Sequence, residues 1–221
     1  MAGMYSYKEL KTRHRAERDA YPQSLSLRVH RALSWLDRAE QETADADARF
    51  MFLWVAFNAA YANNLEDRQN TGEQKLFNEF LGRLIDADKE QQLYALLWDR
   101  YAGDVRLFVD NQFVYRDFWD AQTGIIGEDV WQQNFAMSKA AFNKAMASMN
   151  TKAMLGILFQ RLYVLRNQLI HGGATWNGKV NRPQVESGTA ILGDIVPVVI
   201  HLMMNQPNQL WGDPIYPVVE V

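Results

Sequence analysis

Apolar residues recur at three- and four-residue steps over most of this chain, the spacing of one face of an α-helix. Leu25, Val29, Ala32, Leu33 and Leu36 predict an amphipathic helix over about 24–42, with Pro22 and Ser24 marking its start. The next helix, over about 47–63, is apolar almost all round, the mark of a central buried element. Asp45 or Asp47 can cap it, and Asn63-Asn64 closes it. Leu76, Phe80 and Leu84 predict a helix near 72–86, and Leu93, Leu96, Leu97 and Tyr101 one near 88–101. A more polar helix carrying Trp131, Phe135 and Met146 follows over about 128–149. Met154, Leu155, Leu158, Leu162, Leu165 and Leu169 then define a helix over about 151–171, capped by Asn150 or Thr151. Gly172 to Gly188, with its glycines, asparagines and Pro183, reads as a loop. The last predicted helix, about 188–205, turns Ile191, Leu192, Ile195, Val199 and Leu202 inward, and Pro197 should kink it.

Between these elements the pattern weakens. Residues 4–20 read as a polar, charged helix or a loosely ordered arm. Its Arg13, Arg15 and Arg18 alternate with Glu9, Glu17 and Asp19, so a solvated face is the first reading and phosphate contact the second. Asn58, alone in an apolar helix, reads as a structural hydrogen-bonding side chain. The aromatic stretch from Phe113 to Trp119 reads as core beneath a loop-rich connection, with a base-stacking platform as the alternative. From Pro207 onward three prolines predict an irregular tail.

The 221 residues suit one large domain, or one domain with a sizeable insertion, and 48% hydrophobic with 12% aromatic residues can fill its core. There is no cysteine, which excludes disulfides and thiolate metal sites. The N-terminus lacks an apolar signal core and no run approaches eighteen uninterrupted apolar residues, so a cytoplasmic protein outside the membrane is expected. A net charge of −3 argues against nucleic-acid binding over the whole surface while leaving room for a local basic cleft. No Gly-rich phosphate loop and no G-x-S-x-G signature occurs. His14, His30, His171 and His201 have no metal-ligand spacing, so neither metal nor cofactor is expected.

Candidate chemistry sits at the end of the 151–171 helix. At about 100° per residue Gln160, Tyr163, Asn167 and His171 form a polar line that ends in an imidazole. Arg166 lies beside it and can reach the same solvent patch. Gly172 is where the helix should stop, because glycine takes the left-handed cap conformation without a Cβ penalty.

The segment Arg166-Asn167-Gln168-Leu169-Ile170-His171 resembles the R-N-x-x-x-H motif of the HEPN superfamily, α-helical domains of which many are metal-independent endoribonucleases. A second match precedes it by about a hundred residues. Arg49 to Tyr61, with Trp54, Phe57-Asn58 and Tyr61, is similar to the aromatic second helix of the Apea-like branch. The resemblance implies an all-α, up-and-down helical bundle of HEPN type with a helical insertion. Residues 1–221 would then form a single domain, with an N-terminal arm at 1–22, the insertion at 65–130 and the tail at 206–221. It implies Arg166, Asn167 and His171 as catalytic residues; Arg161, Lys179 and Arg182 around the motif, with Tyr163 of the polar line, are the candidate RNA contacts. The implied partners are RNA and a second copy of the chain, since one motif per chain would be completed in a homodimer. A toxin or antiphage role, with an antitoxin or other protein partner, fits the same family. The alternative is a non-catalytic module that binds a nucleotide, RNA or protein through the same groove.

Overall fold

The computed structural model describes residues 4–61, 73–209, 211–214 and 216, and among these the regular structure is helical throughout. The chain is all-α. It divides into two compact units, the first formed by residues 1–92 and 189–221 and the second by 93–188. The boundary falls within the stretch read as an insertion, so residues 65–130 do not correspond to one unit.

In the first unit, α1 (Tyr7–Glu17) is opened by a capping box: the Ser6 hydroxyl accepts from the Glu9 N–H, and the Glu9 carboxylate accepts from the Ser6 N–H. A 3₁₀ turn at Arg18–Ala20 leads into α2 (Gln23–Gln41), which packs along α3 (Ala46–Tyr61). Asp45 caps α3 by accepting the Ala48 N–H at 3.0 Å. All five inward positions expected on α2 are buried, against Phe50, Leu53, Trp54, Phe57 and Tyr61 of α3 on the core side. The other side of α3 is only partly covered, with Phe52 lying beneath Trp35 and the Arg38 guanidinium. Asn58 is half-buried, and the expected Asn63-Asn64 closure lies outside the described residues. Phe80 of α4 (Glu73–Ala87) meets Phe57 and Trp211 edge-on, which seats the tail in the core.

Two arginines here hold parts of the unit together. Arg28 is fully buried and donates to the carbonyls of Ala60, Gly212 and Asp213 at 3.0, 2.9 and 2.8 Å. Burial lowers its pKa to about 10, against the opposing pull of Asp213. Arg13 pairs with Glu17 at 2.9 Å and donates to Asn205 at 2.7 Å, so it ties α1 to the chain's last helix rather than facing solvent freely.

In the second unit, a short helix α5 (Gln92–Ala95), whose first residue belongs to the first unit, runs into a π-turn at Leu96–Arg100. The helix expected from residue 88 starts late because the Asp88 carboxylate accepts the Gln92 N–H at 2.8 Å, and Gln91 takes a positive φ of 55°. Then follow α6 (Ala102–Asp110), a 3₁₀ turn (Gln112–Val114), α7 (Arg116–Gln122), α8 (Glu128–Ala147) and α9 (Thr151–Ile170). The α9 helix packs on α8, on α6 and on the 3₁₀ turn. The aromatic stretch is therefore helical rather than loop-rich. Its Val114 is buried, while Phe113 and Trp119 remain 45% and 42% exposed.

The last helix, α10 (Arg182–Asn205), begins six residues before the expected start. Pro183 falls in its first turn, where the missing N–H would have no helical partner anyway. Its residues from Thr189 onward belong to the first unit, where the Thr189 hydroxyl donates to the Ala46 carbonyl and Gly193 lies against Leu53. By length and composition α10 is apolar enough to cross a membrane, and 78% of its apolar window is buried inside the fold. That burial is the pattern of a core helix.

Candidate active site

The α9 helix is well determined by its sequence. Asn150 caps its start by accepting the Ala153 N–H at 3.0 Å. Met154, Leu155, Leu158, Leu162 and Leu165 are all buried along one side. At its end the His171 N–H bonds to the Asn167 carbonyl at 3.0 Å, and Gly172 takes a φ of +70°. The Ala174 N–H then reaches back to the Gln168 carbonyl at 3.1 Å. A Cβ at residue 173 would lie 3.4 Å from that same carbonyl oxygen, a close but ordinary contact. The polar line is where the spacing put it: Gln160, Tyr163 and His171 are exposed and Asn167 is half-buried.

Arg166 is half-buried beside this line. Its Nη1–H donates to the Asn167 Oδ1 at 2.9 Å, and its Cζ lies 6.0 Å from the centre of the Tyr163 ring. Tyr163, Arg166 and Asn167 are thus brought together at one helix end, and Asn167 is turned toward the arginine. His171 follows one turn later, its imidazole open to solvent. What results is an arginine hydrogen-bonded to Asn167, with an exposed histidine one turn beyond Asn167.

Arg161 is not an RNA contact. It is 1% exposed, donates through Nη2 to the Ser138 hydroxyl at 2.9 Å, and stacks with Cζ 4.2 Å from the Tyr115 ring centre. Burial lowers its pKa to about 10, with Tyr115 and Asp117 opposing. The correction has a simple cause: position 161 lies next to Leu162 and Leu165 on the buried side of the helix. Lys179 is exposed on the loop after α9, and Arg182 is half-buried at the first position of α10.

Gln168 is the residue that motif reading passed over, an unspecified position in R-N-x-x-x-H. Its Nε2–H donates to the Phe113 carbonyl at 2.6 Å, and its Oε1 accepts from Asn181 Nδ2 at 3.1 Å. With its backbone carbonyl holding Ala174, it fastens both ends of the loop that carries Lys179 to the end of α9. The signal was present: Gln168 continues the Leu158–Leu162–Leu165 stripe, and an amide on a buried stripe needs partners.

Among the described residues no group of three or more His, Asp or Glu side chains is placed to hold a metal ion. No protein-family model, curated protein or solved structure matches the chain.

Proposed function

We propose that the chain is a HEPN-type, metal-independent endoribonuclease working as a homodimer in the cytoplasm, in a toxin or antiphage setting. The observation that carries this reading is Arg166, oriented by Asn167 at an exposed helix end that is capped by an exposed His171. The R-N-x-x-x-H resemblance supplies the reaction, and the geometry supports the roles.

In that reaction the ribose 2′-oxygen attacks the adjacent phosphorus. The O2′–P bond forms, the P–O5′ bond breaks, and the products are a 2′,3′-cyclic phosphate and a 5′-hydroxyl end. One proton must leave O2′ and one must reach O5′. An imidazole can serve as general base or general acid, and His171 has that role here. Negative charge grows on the non-bridging phosphate oxygens, and a preoriented guanidinium stabilises it more than a mobile one. Arg166 has that role and Asn167 holds it. A second copy would bring a second His171, giving separate groups for the two proton transfers.

A non-catalytic module would be favoured by a buried His171 satisfied by backbone carbonyls, and the exposure of the imidazole supports catalysis instead. The test is RNA cleavage by His171→Ala and Arg166→Ala. Each should lose cleavage while helicity and melting temperature stay close to wild type. Loss of fold together with activity would count for a structural role.

A further inference from the structure

Phe113 and Trp119 stand out as large aromatic rings left nearly half exposed, at 45% and 42%, on a segment joined to the candidate site. The Phe113 carbonyl accepts two side-chain hydrogen bonds, from Trp119 Nε1 at 2.8 Å and from Gln168 Nε2 at 2.6 Å. Gln168 is three residues before His171, and side chains at that separation on a helix are about 5–6 Å apart at Cβ. The aromatic pair is therefore one hydrogen bond from a residue that neighbours the imidazole. Phe118 supports both rings from within the segment, edge-on to Phe113 at 5.3 Å and to Trp119 at 5.1 Å. Phe118 is in turn edge-on to the buried Trp131 of α8 at 5.2 Å. Each of the two rings thus has an aromatic neighbour that is itself packed on α8.

We infer that Phe113 and Trp119 form a base-stacking shelf that holds an unpaired nucleotide of the RNA flanking the scissile phosphate at the Arg166/His171 site. This rests on the endoribonuclease reading and adds to it the two side chains that hold a nucleotide next to the scissile phosphate. Bases in a duplex are stacked on one another and cannot lie on a protein ring. Unpaired bases can, and stacking on an aromatic is tolerant of sequence because every base has a π-face. The shelf selects for strandedness more than for sequence.

The test uses the full chain in two assays. Binding of a short single-stranded RNA and of a matched duplex is measured with the His171→Ala protein, alone and combined with Phe113→Ala, Trp119→Ala or Trp119→Phe. Cleavage of the same single strand is measured with the wild-type active site. Phe113→Ala keeps the backbone carbonyl that both donors use, and Trp119→Phe keeps a stacking face. Thermal melting shows that each variant is folded. The shelf predicts single-strand binding weakened about fivefold to a hundredfold by either alanine, restored toward normal by Trp119→Phe, with duplex binding unchanged. Equal binding of single strand by the folded alanine variants overturns it, as does a change of oligomeric state without any change in RNA binding. Shelf-dependent binding by a wild type that cleaves nothing keeps the shelf and removes the nuclease. Cleavage that ignores both alanines does the reverse.

Discussion

The Arg166 guanidinium donates to the side-chain oxygen of Asn167, its immediate chain neighbour, at 2.9 Å. Successive residues on a helix point about 100° apart, so this bond exists only because the long arginine side chain wraps around the helix toward Asn167. Asn167 therefore fixes where the positive charge lies.

Removing that bond should reduce catalysis more than substrate binding. Asn167→Ala is expected to lower kcat about ten- to a hundredfold with KM changed little, since a mobile guanidinium stabilises developing charge less well. Melting should stay within a few degrees of wild type, because Asn167 is only half-buried. Steady-state kinetics on a single RNA substrate measures it. Undiminished kcat would show that Arg166 needs no support.

Arg161 should behave in the opposite way. Arg161→Ala leaves a hole beneath Tyr115 and Phe135 and removes the partner of Ser138, and is expected to cost about 2–4 kcal/mol of stability in urea unfolding. At temperatures where the variant is folded, KM for RNA should match wild type. A raised KM with unchanged stability would return Arg161 to the RNA surface.

Much of the helical framework was legible because burial enforces the pattern that was read. The stripes of α2 and the later part of α10 are buried as expected, that of α9 is buried except for the half-buried Leu169 near its end, and the caps Asp45 and Asn150 act at the expected positions. What escaped were polar side chains that hold other parts of the chain in place. Arg28, Arg161 and Gln168 look like surface residues by type, and only their position on a buried stripe reveals them. Phe113 and Trp119 are the reverse case, apolar by type and left in solvent by a short helix too small to cover them. The start of α10 was missed because Pro183 was read as a breaker, although a first-turn proline is compatible with a helix.

Stability should fall as the solution is acidified from neutral. His14 is 1% exposed, and burial, with Lys11 and then His30 nearby, lowers its pKa from 6.5 to about 4. His30 and His201 are shifted in the same direction, chiefly by burial. In the unfolded chain these imidazoles gain protons first, so falling pH favours unfolding. His14 contributes no penalty well above pH 6.5, a growing one as pH drops from 6.5 toward 4, and a constant one below that. Urea midpoints measured across this range should decline, and His14→Gln should flatten the decline. A slope that His14→Gln leaves unaltered would show that His14 is not its source.

Cleavage of single-stranded RNA in excess chelator, with chemical analysis of the product ends, tests the proposed activity most directly. Chelator-resistant cutting that leaves 2′,3′-cyclic phosphate and 5′-hydroxyl ends, absent in His171→Ala, is the expected result. A folded, dimeric wild-type protein that leaves structured and unstructured RNAs intact, or one that cuts them only with added metal, would contradict it.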